Sequence, residues 1–355
     1  GVDLALVPSF YEESFSMVIS ECWAHGVPVL ASNRGALPER IENGVNGWLV
    51  PDMQAETWIR SLQHILEGTA LEECRENLDR SATPSVDQWA SSINRLYEEL
   101  MPGARSTSEP AATSFNLKRF NRKLDELRSE QSVEPNEAST LGVMRDHWGT
   151  PAYRVRFPLA DLEHSGACDK SHFHVVRDSG FDLNASLQKS AARQILIQPF
   201  ISDEGLKMME QLHRASRHHI TLVVDDLWTG LQDDNPVVGS MPDDIEGRLG
   251  YAASLSHSLV VTTTELGRRL AVSHDNTHVI NNALPDWVWK GLYRPPTANK
   301  GNRLRIGWSG APQHTRDLLF LEKVMRDTAD LADWVFLGIC PQPLRALCTE
   351  RHNMV

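Results

Sequence analysis

Short apolar runs alternate with helical stretches along most of this chain, and this alternation constrains its fold more than any other feature. Runs such as 3–8, 27–32 and 220–224 have the length and composition of strands that are buried on both faces. Between such runs, apolar residues recur at helical spacing, as in the stretch 58–66. Strands that alternate with helices form parallel sheets covered by helices. The sequence therefore predicts an α/β fold with Rossmann-like domains.

The chain is 355 residues long, which suits two or three α/β domains better than one compact core. The strand at 3–7 needs neighbours on both sides, and the last strand, near 334–338, closes no sheet, so both ends are interpreted as truncations of larger domains. The pattern predicts four segments: an α/β region over 1–102, a linker rich in Ser, Glu and Pro over 103–149, a second α/β region over 150–297 with a first strand at 152–157, and a new unit over 298–355.

Charge and cysteine content narrow the class of protein. The formal net charge of −12 argues against a general affinity for nucleic acid, which needs a basic surface. No apolar run is long enough to span a membrane. The five cysteines are odd in number and form no C-x-x-C pair, which fits reduced thiols better than a disulfide framework or a zinc site. We therefore expect a cytoplasmic protein.

The loop that follows the first strand is the strongest candidate for a binding site. It leads from the carboxyl end of a parallel strand to a helix N-terminus, where α/β folds bind ligands and where unpaired N–H groups attract phosphate. Ser14 and Ser16 are small enough for a close approach, and Glu21 lies on a strongly apolar helix, where a carboxylate needs hydrogen-bond donors such as a ribose diol. Spacing alone favours a simpler interpretation, in which Glu21 faces solvent and Glu13 caps the helix.

The sequence of the whole segment resembles that of a known protein family. This resemblance favours a binding site over the simpler interpretation. Glu13 and Glu21 are separated by seven residues within the stretch PSFYEESFSMVISECWAHGVPVLAS, and the match continues through RGALPE and ENGVNGWLVP. Together these phrases resemble the signature of retaining glycosyltransferases of the two-Rossmann-domain (GT-B) architecture, a clan that includes glycogen and sucrose synthases and many O-antigen transferases.

The resemblance implies specific roles for the loop. Glu13 would contact the hydroxyls of the transferred sugar and act in catalysis, Glu21 would hold the ribose, and Ser14, Phe15 and Ser16 would meet the diphosphate of a UDP- or GDP-sugar. The family usually has Gly where this chain has Ser16. The departing phosphate would serve as base, so no metal, cofactor or side-chain nucleophile is implied. The family's Arg/Lys pair for the diphosphate would lie before Gly1.

Residues 150–297 resemble the acceptor-side domain of a second transferase of this architecture, with Asn282 at the usual place of the interdomain hinge. Asp225 and Asp226 invite a metal-site hypothesis, which we discount because adjacent side chains at a strand end point in opposite directions. A helix-start or hinge role is the alternative.

The phrase RIGWSGAPQHTRDL, at 305–318, resembles the first strand and loop of a donor-binding domain. Gly307 and Gly310 would let the backbone approach the donor, and the following helix would point its N-terminus at the ligand. His314 is either a donor contact or an ordinary loop residue.

The leading hypothesis is thus a piece of a tandem glycosyltransferase for polysaccharide or O-antigen-type biosynthesis. Its partners would be a nucleotide sugar and a glycan or lipid-linked acceptor, the latter at the inner face of a membrane. One alternative is a nucleotide-sugar epimerase of the same fold, and another is a degenerate, non-catalytic module that binds glycan or scaffolds partners. An NAD-dependent enzyme is disfavoured because no G-x-G-x-x-G follows a strand.

Overall fold

The computed structural model describes most of the chain outside its central segment. The described residues are 1–78, 88–89, 92–93, 95, 140–147, 149–164, 171–181, 183, 192–215, 218–228, 231, 238–270, 272, 274–285, 303–310 and 314–352. Of the predicted linker over 103–149, residues 103–139 and 148 lie outside them.

The N-terminal segment alternates strand and helix as predicted. Its elements are β1 (Leu4–Val7), α1 (Met17–Ala24), β2 (Val29–Ser32), α2 (Leu37–Arg40), β3 (Gly47–Val50), α3 (Ala55–Glu67) and α4 (Ala70–Asn77).

The middle segment contains a second series of strands. Its elements are β4 (Thr140–Met144), a π-helix (Ala152–Arg156), α5 (Phe157–His164), β5 (Ser171–Val175), α6 (Val176–Ser179), β6 (Gln194–Ile197), α7 (Asp203–Arg214), β7 (His219–Val224), a 3₁₀ turn (Val238–Ser240), α8 (Ile245–Ser254), β8 (Ser258–Val261), α9 (Thr264–Arg269) and β9 (Thr277–Val279).

The C-terminal segment supplies the remaining elements, which are β10 (Leu304–Gly310), α10 (Thr315–Asp327), β11 (Ala332–Gly338), a 3₁₀ turn (Gln342–Leu344) and β12 (Glu350–His352).

These strands form two six-stranded parallel sheets. Sheet 1 has the order β12-β11-β10-β1-β2-β3, and sheet 2 has the order β5-β4-β6-β7-β8-β9. The chain divides into two compact units: unit 1 comprises Gly1–Thr83, Gly230–Ser240 and Tyr293–Val355, and unit 2 comprises Pro84–Thr229 and Met241–Leu292. The predicted fold class, α/β with Rossmann-like parallel sheets flanked by helices, is confirmed.

Sheet 1 is built from both ends of the chain. β1 pairs with β2 on one side and with β10 on the other, where Leu4 lies opposite Ile306 and Ala5 opposite Gly307. The sequence predicts that these two ends belong to different donor domains, whereas here their strands pair in one sheet. The division into modules stays a prediction.

Both faces of sheet 1 are buried, which explains the unbroken apolar run of β1. Leu4 and Leu6 pack on one face with Trp58 of α3 and Leu318 of α10. Ala5 and its neighbours pack on the other face with Ile19 and Trp23 of α1. Burying one large apolar side chain stabilises the fold by about 1.5–3 kcal/mol, so the strand holds its place between helices on both sides.

One predicted strand is wrong. The stretch 152–157 forms the π-helix and the start of α5, and the strand that begins the second sheet is β4, within the predicted linker. Ala152, Arg154, Val155 and Arg156 are all buried, and a helix that is buried on several sides resembles a buried strand in a short window. Gly142 of β4 allows this helix to pack closely, because a β-carbon there would lie 2.8 Å from the side chain of Val155.

Candidate functional site

The candidate site lies where the order of sheet 1 reverses. β10 and β1 are neighbours in the sheet, but β10 continues through α10 to β11 on one side, whereas β1 continues through α1 to β2 on the other. After β10 and β1 the chain therefore crosses to opposite sides of this point in the sheet. Ligands of open α/β sheets bind at such a switch point.

Glu13 is fixed in the loop after β1 by its neighbours. The Ser9 hydroxyl, itself buried, donates a hydrogen bond to Oε1 of Glu13. The backbone of Glu13 is also held, because the N–H of Ala36 donates to its carbonyl oxygen at 2.7 Å. Gly35 has φ +56°, and a β-carbon there would overlap the backbone of Glu13. The segment RGALPE, which is part of the matched sequence, thus supports the loop that contains Glu13.

Arg40 fixes the next part of the same loop. Its Nη1 donates to the carbonyl oxygens of Phe15 and Ser16, at 2.6 and 2.8 Å, and its Nη2 donates to the Ser20 hydroxyl at 2.6 Å. The guanidinium carbon lies 3.7 Å from the centroid of the Phe15 ring. Burial lowers the pKa of Arg40 to about 9, against the opposing charge of Glu13. Since these bonds engage the two carbonyl groups, the loop conformation is set before any ligand binds.

Ser16, the N-cap residue of α1, adopts a left-handed backbone conformation with φ 64° and ψ 88°. Among the described residues it is the one non-glycine residue with positive φ. Such a conformation costs a residue with a β-carbon about 1–2 kcal/mol, and the Ser16 hydroxyl makes no capping hydrogen bond in return. The backbone of this chain is therefore strained at Ser16, where the family usually has Gly.

Replacing Ser16 by glycine is expected to raise the free energy of unfolding by about 1 kcal/mol, since glycine adopts this conformation without strain. Urea denaturation of the variant and the parent measures the difference. Ser14→Gly is the control, because Ser14 has no positive φ and glycine therefore relieves no backbone strain there. Equal destabilisation by both changes would show that the Ser16 backbone is not strained.

Glu21 lies on α1, one turn beyond the loop. Burial raises the pKa of its carboxyl group, and within the described part of the chain no side chain donates a hydrogen bond to it. His25 donates from Nδ1 to the Glu21 carbonyl oxygen at 2.9 Å, a contact at the end of the helix. A half-buried carboxylate without a side-chain donor among the described residues is suited to a ligand that brings its own hydroxyl groups.

His314 comes to the same site from the other end of the chain. Its Nδ1 lies 2.9 Å from Oδ2 of Asp317 and 2.6 Å from the hydroxyl of Tyr11, whose ring stacks on the imidazole. Asp317 is buried and accepts a second hydrogen bond, at 2.9 Å, from the backbone N–H of Phe10. Asp317 thus ties the start of α10 to the loop after β1.

The electrostatics of the site favour a charged imidazole. Burial by itself lowers the pKa of His314, but the hydrogen bond to Asp317 and the negative charges of Glu13 and Asp317 outweigh it, so that the pKa is raised. The structure therefore brings two predicted site residues, Glu13 and His314, into electrostatic contact.

The two predicted glycines have different positions. Gly310 ends β10 at the carboxyl edge, beside the candidate site. Gly307 lies inside β10, paired with Ala5 and Val335, and a β-carbon there would meet the side chain of Val2. The space beside Gly307 is thus filled by the packed side chain of Val2, within unit 1.

Sequence reasoning missed Arg40 and Tyr11. Arg40 lies outside the quoted motifs, and Tyr11 lies within the matched stretch at a position whose spacing indicates no ligand. Each contacts a segment that is distant in the sequence. Their roles follow from the pairing of the strands, which brings α2 and α10 against the loop after β1.

Unit 2 contains a second charged cluster at the carboxyl ends of β7 and β9. Burial and the neighbouring Asp226 raise the pKa of Asp225, while Arg154 and a hydrogen bond from Thr150 act in the opposite direction. Nη1 of Arg154 donates to Oδ1 of Asn282 at 3.0 Å. In the described ranges, no group of three or more His, Cys, Asp or Glu side chains is arranged to hold a metal ion.

No helix within the described ranges is long and apolar enough to cross a membrane.

Comparisons with known proteins agree with the geometry of unit 1. The chain is similar to proteins named D-inositol 3-phosphate glycosyltransferase from Corynebacterium kroppenstedtii (33% identity over 122 residues, 32% of this chain and 26% of the relative), Corynebacterium jeikeium (34% over 114 residues, 31% and 27%) and Mycobacteroides abscessus (31% over 129 residues, 36% and 29%). The chain thus spans about a quarter of the length of these relatives.

Among solved structures, one of Haemophilus influenzae LpoA aligns at 10% identity with a TM-score of 0.21, over 80% of this chain and 60% of that chain, which is too weak a likeness to bear on the fold. The family model "Glycosyl transferases group 1" matches residues 1–68, the stretch that carries Glu13, the Ser16 turn and Glu21. Together, the family match, the relatives and the two parallel Rossmann-like sheets identify this chain as similar to glycosyltransferases of group 1, with the GT-B type of fold.

Proposed function

We propose that this chain is a retaining glycosyltransferase that takes its sugar from a UDP- or GDP-sugar and transfers it to a glycan or lipid-linked acceptor. The observation that carries the proposal is the cluster of Glu13, His314 and the Arg40-braced turn at the switch point of sheet 1. The proposed setting is polysaccharide or O-antigen-type biosynthesis in the cytoplasm, at the inner face of a membrane where the acceptor is lipid-linked.

In the proposed complex the diphosphate lies against the backbone from Ser14 to Ser16, at the N-terminus of α1. N–H groups and the helix dipole favour negative charge there. Arg40 holds the carbonyl groups of Phe15 and Ser16, so the turn keeps its shape as charge develops on the leaving diphosphate.

The sugar and the ribose occupy opposite sides of that turn. Glu13, oriented by the Ser9 hydroxyl, accepts hydrogen bonds from hydroxyl groups of the transferred sugar. Glu21 accepts hydrogen bonds from the ribose diol, which supplies the donors that its carboxylate lacks within the described protein. An oxygen of the departing diphosphate takes the proton of the acceptor hydroxyl, so no metal, cofactor or side-chain nucleophile takes part.

We further propose one donor site shared by the two chain ends. Counted from β10 as the first strand, sheet 1 has the order 3-2-1-4-5-6, which is the order of doubly wound dinucleotide-binding sheets. In a tandem enzyme the two ends would come from two donor domains. Their pairing in a single complete sheet favours one site, with Glu13 and Glu21 on one side and His314 on the other.

Replacing Glu13 by glutamine is expected to lower turnover about ten- to a hundred-fold and to change nucleotide affinity little, because its partner is the transferred sugar. The measurement is release of sugar from UDP- and GDP-sugars, followed by proton NMR, which also reports the anomeric configuration of the first product. Glu72→Gln, on the exposed side of α4, is the control.

Retained configuration in the first product and a selective loss in Glu13→Gln support the proposal. An epimerase would instead interconvert the sugars of the donor without an acceptor. A degenerate module would bind nucleotide without turnover in the parent and the variant alike. Either result would contradict the assignment of transfer chemistry to Glu13.

A further inference from the structure

Two cysteine thiols lie together in the loop that joins β11 to β12. Sγ of Cys340 lies 3.4 Å from Sγ of Cys348, and among the described cysteines they are the one pair of sulfur atoms within hydrogen-bond distance. Both side chains are half-buried, so the pair is accessible in part from solvent. Within the described ranges no third His, Cys, Asp or Glu completes a metal site with them. The arrangement therefore favours chemistry of the two sulfur atoms themselves.

We propose that Cys340 and Cys348 are a redox-responsive pair, which a disulfide oxidant such as oxidised glutathione converts to a reversible disulfide. The site is independent of the proposed transfer reaction, because neither thiol has a part in it. In a reducing compartment the dithiol is the resting state, and disulfides there are usually transient and redox-sensing. The sequence has no C-x-x-C pair, but folding brings together two cysteines that are separated in the chain.

The backbone of the loop holds the two cysteines at this distance. Gly338, at the end of β11, has φ +105°, which lets the chain turn away from the strand. Nε of Arg345 donates to the carbonyl oxygen of Cys340 at 3.2 Å, and the N–H of Leu347 donates to the carbonyl oxygen of Leu344 at 2.9 Å. The two sulfur atoms need to approach by only about 1.4 Å to reach bonding distance.

The two thiols are expected to react in a fixed order. Burial, together with the hydrogen bond and the charge of Cys340, raises the pKa of Cys348 to about 12, against the charge of Arg351. Cys348 therefore stays protonated at neutral pH, and its Sγ donates to the carbonyl oxygen of Leu344 at 3.2 Å. Because the thiolate is the nucleophile in such reactions, Cys340 attacks first.

Oxidation takes place in two steps of thiol–disulfide exchange. The Cys340 thiol releases its proton to water and attacks one sulfur of oxidised glutathione, which breaks the S–S bond and releases one glutathione thiolate. Cys348 then gives up its proton and attacks Sγ of Cys340, which forms the bond between the two cysteines and releases the second glutathione. The protein thus loses two electrons and two protons, and the oxidant becomes two molecules of reduced glutathione.

The disulfide restrains a loop that contacts the carboxyl end of β10. Ile339, the residue before Cys340, donates its N–H to the carbonyl oxygen of Gly310 at 3.3 Å. Gly310 is also paired with Gly338 in the sheet. A bond from Cys340 to Cys348 links this contact covalently to the start of β12, so oxidation is expected to slow local opening of the loop.

The experiment treats the full chain with oxidised glutathione, blocks the remaining thiols with iodoacetamide and maps the tryptic peptides by mass spectrometry. Trypsin cleaves after Arg326, Arg345 and Arg351, so the two cysteines fall in separate peptides, 327–345 and 346–351. The parent is expected to yield these two peptides joined by a disulfide, which excess reduced glutathione separates. Amide hydrogen exchange over 339–349 should slow about tenfold in the oxidised protein.

Three variants assign the role of each thiol. Cys348→Ser should stop at the mixed disulfide, with one glutathione on Cys340. Cys340→Ser should leave Cys348 largely unmodified, because its thiol stays protonated. Neither serine variant should show the slower hydrogen exchange. Cys74→Ala, which changes a buried cysteine of α4, is the control and should form the disulfide as the parent does.

A parent that keeps both thiols free, or that carries glutathione on Cys340 without joined peptides, would overturn the proposal. Joined peptides in a protein whose loop exchanges as fast as in the reduced state would overturn the restraint on the contact with Gly310. Modification of Cys348 in Cys340→Ser at the rate of the parent would contradict the order of attack. Melting curves of the reduced proteins show that the compared variants are folded.

Discussion

Replacing Arg154 by alanine is expected to lower the free energy of unfolding by about 3–5 kcal/mol, because it removes two buried hydrogen bonds and the positive charge that compensates the buried Asp225. The Arg154 side chain is fully buried, and its Nη1 donates to the carbonyl oxygen of Ile280 and to Oδ1 of Asn282, both at 3.0 Å. Burial lowers its pKa to about 10, against the opposing charges of Asp225 and Asp226.

Urea denaturation followed by circular dichroism measures this loss, and Arg214→Ala is the matched control. The Arg214 side chain is 78% exposed and pairs with Glu210 at 3.2 Å on the surface of α7. Exposed pairs of this kind contribute about 0–1 kcal/mol, so the control should unfold almost as the parent does. Equal stability of the two variants would show that the Arg154 cluster does not hold the carboxyl ends of β7 and β9 together.

The strands of this fold could largely be predicted from the sequence, and the reason is burial on both faces. Ile195, Leu196 and Ile197 of β6 pack alternately on the two sides of sheet 2, so three consecutive positions of the strand are apolar. An unbroken apolar run is visible without knowledge of the neighbours. The same holds for β1, β7 and β8.

The two segments whose structure the sequence predicts wrongly, β4 and the helix at 152–156, have a physical explanation. β4 contains Gly142, which makes the strand look weak, but the missing side chain is what allows Val155 to pack against it. The helix that contains Val155 is buried on several sides, and a short window cannot distinguish such a helix from a strand. The glycine in β4 and the buried helix at 152–156 explain each other, because Val155 packs where Gly142 has no side chain. Only this tertiary contact shows why the two segments form a strand and a helix.

The candidate site could be predicted only in part. Glu13, Ser16 and Glu21 lie in one continuous stretch, and the resemblance of that stretch to a known family, rather than the spacing alone, predicted a ligand-binding loop. The pairing of β1 with β10 is a contact between the two ends of the chain, and no local pattern specifies it. For this reason, the contact of His314 with Tyr11 could not be predicted.

The role of Arg40 in the candidate site also could not be predicted from its local sequence. Arg40 ends a helix of four residues, and in sequence it looks like a surface cation at a helix C-terminus. Its hydrogen bonds to Phe15 and Ser16 exist because β1 and β2 are neighbours, which brings α2 beside the start of α1. The residue that shapes the binding loop is thus outside the motif that reveals it.

Replacing Glu21 by glutamine in the full chain is expected to lower affinity for a nucleoside diphosphate by about ten- to a hundred-fold. The change keeps the shape of the side chain and removes a charge-assisted hydrogen bond to the ribose, worth about 1.5–3 kcal/mol. Thermal stability should fall little, because burial already disfavours the charged form of this carboxyl group in the unliganded fold.

The most direct test of the donor site is calorimetric titration of the parent, Glu21→Gln and the exposed-site control Glu72→Gln with UDP and with GDP, beside melting curves of all three proteins. We expect one binding site per chain in the parent and in Glu72→Gln, and a site about ten- to a hundred-fold weaker in Glu21→Gln at an unchanged melting temperature. Nucleotide binding by Glu21→Gln that equals the parent, together with a much lower melting temperature, would show that Glu21 is structural and would contradict the account.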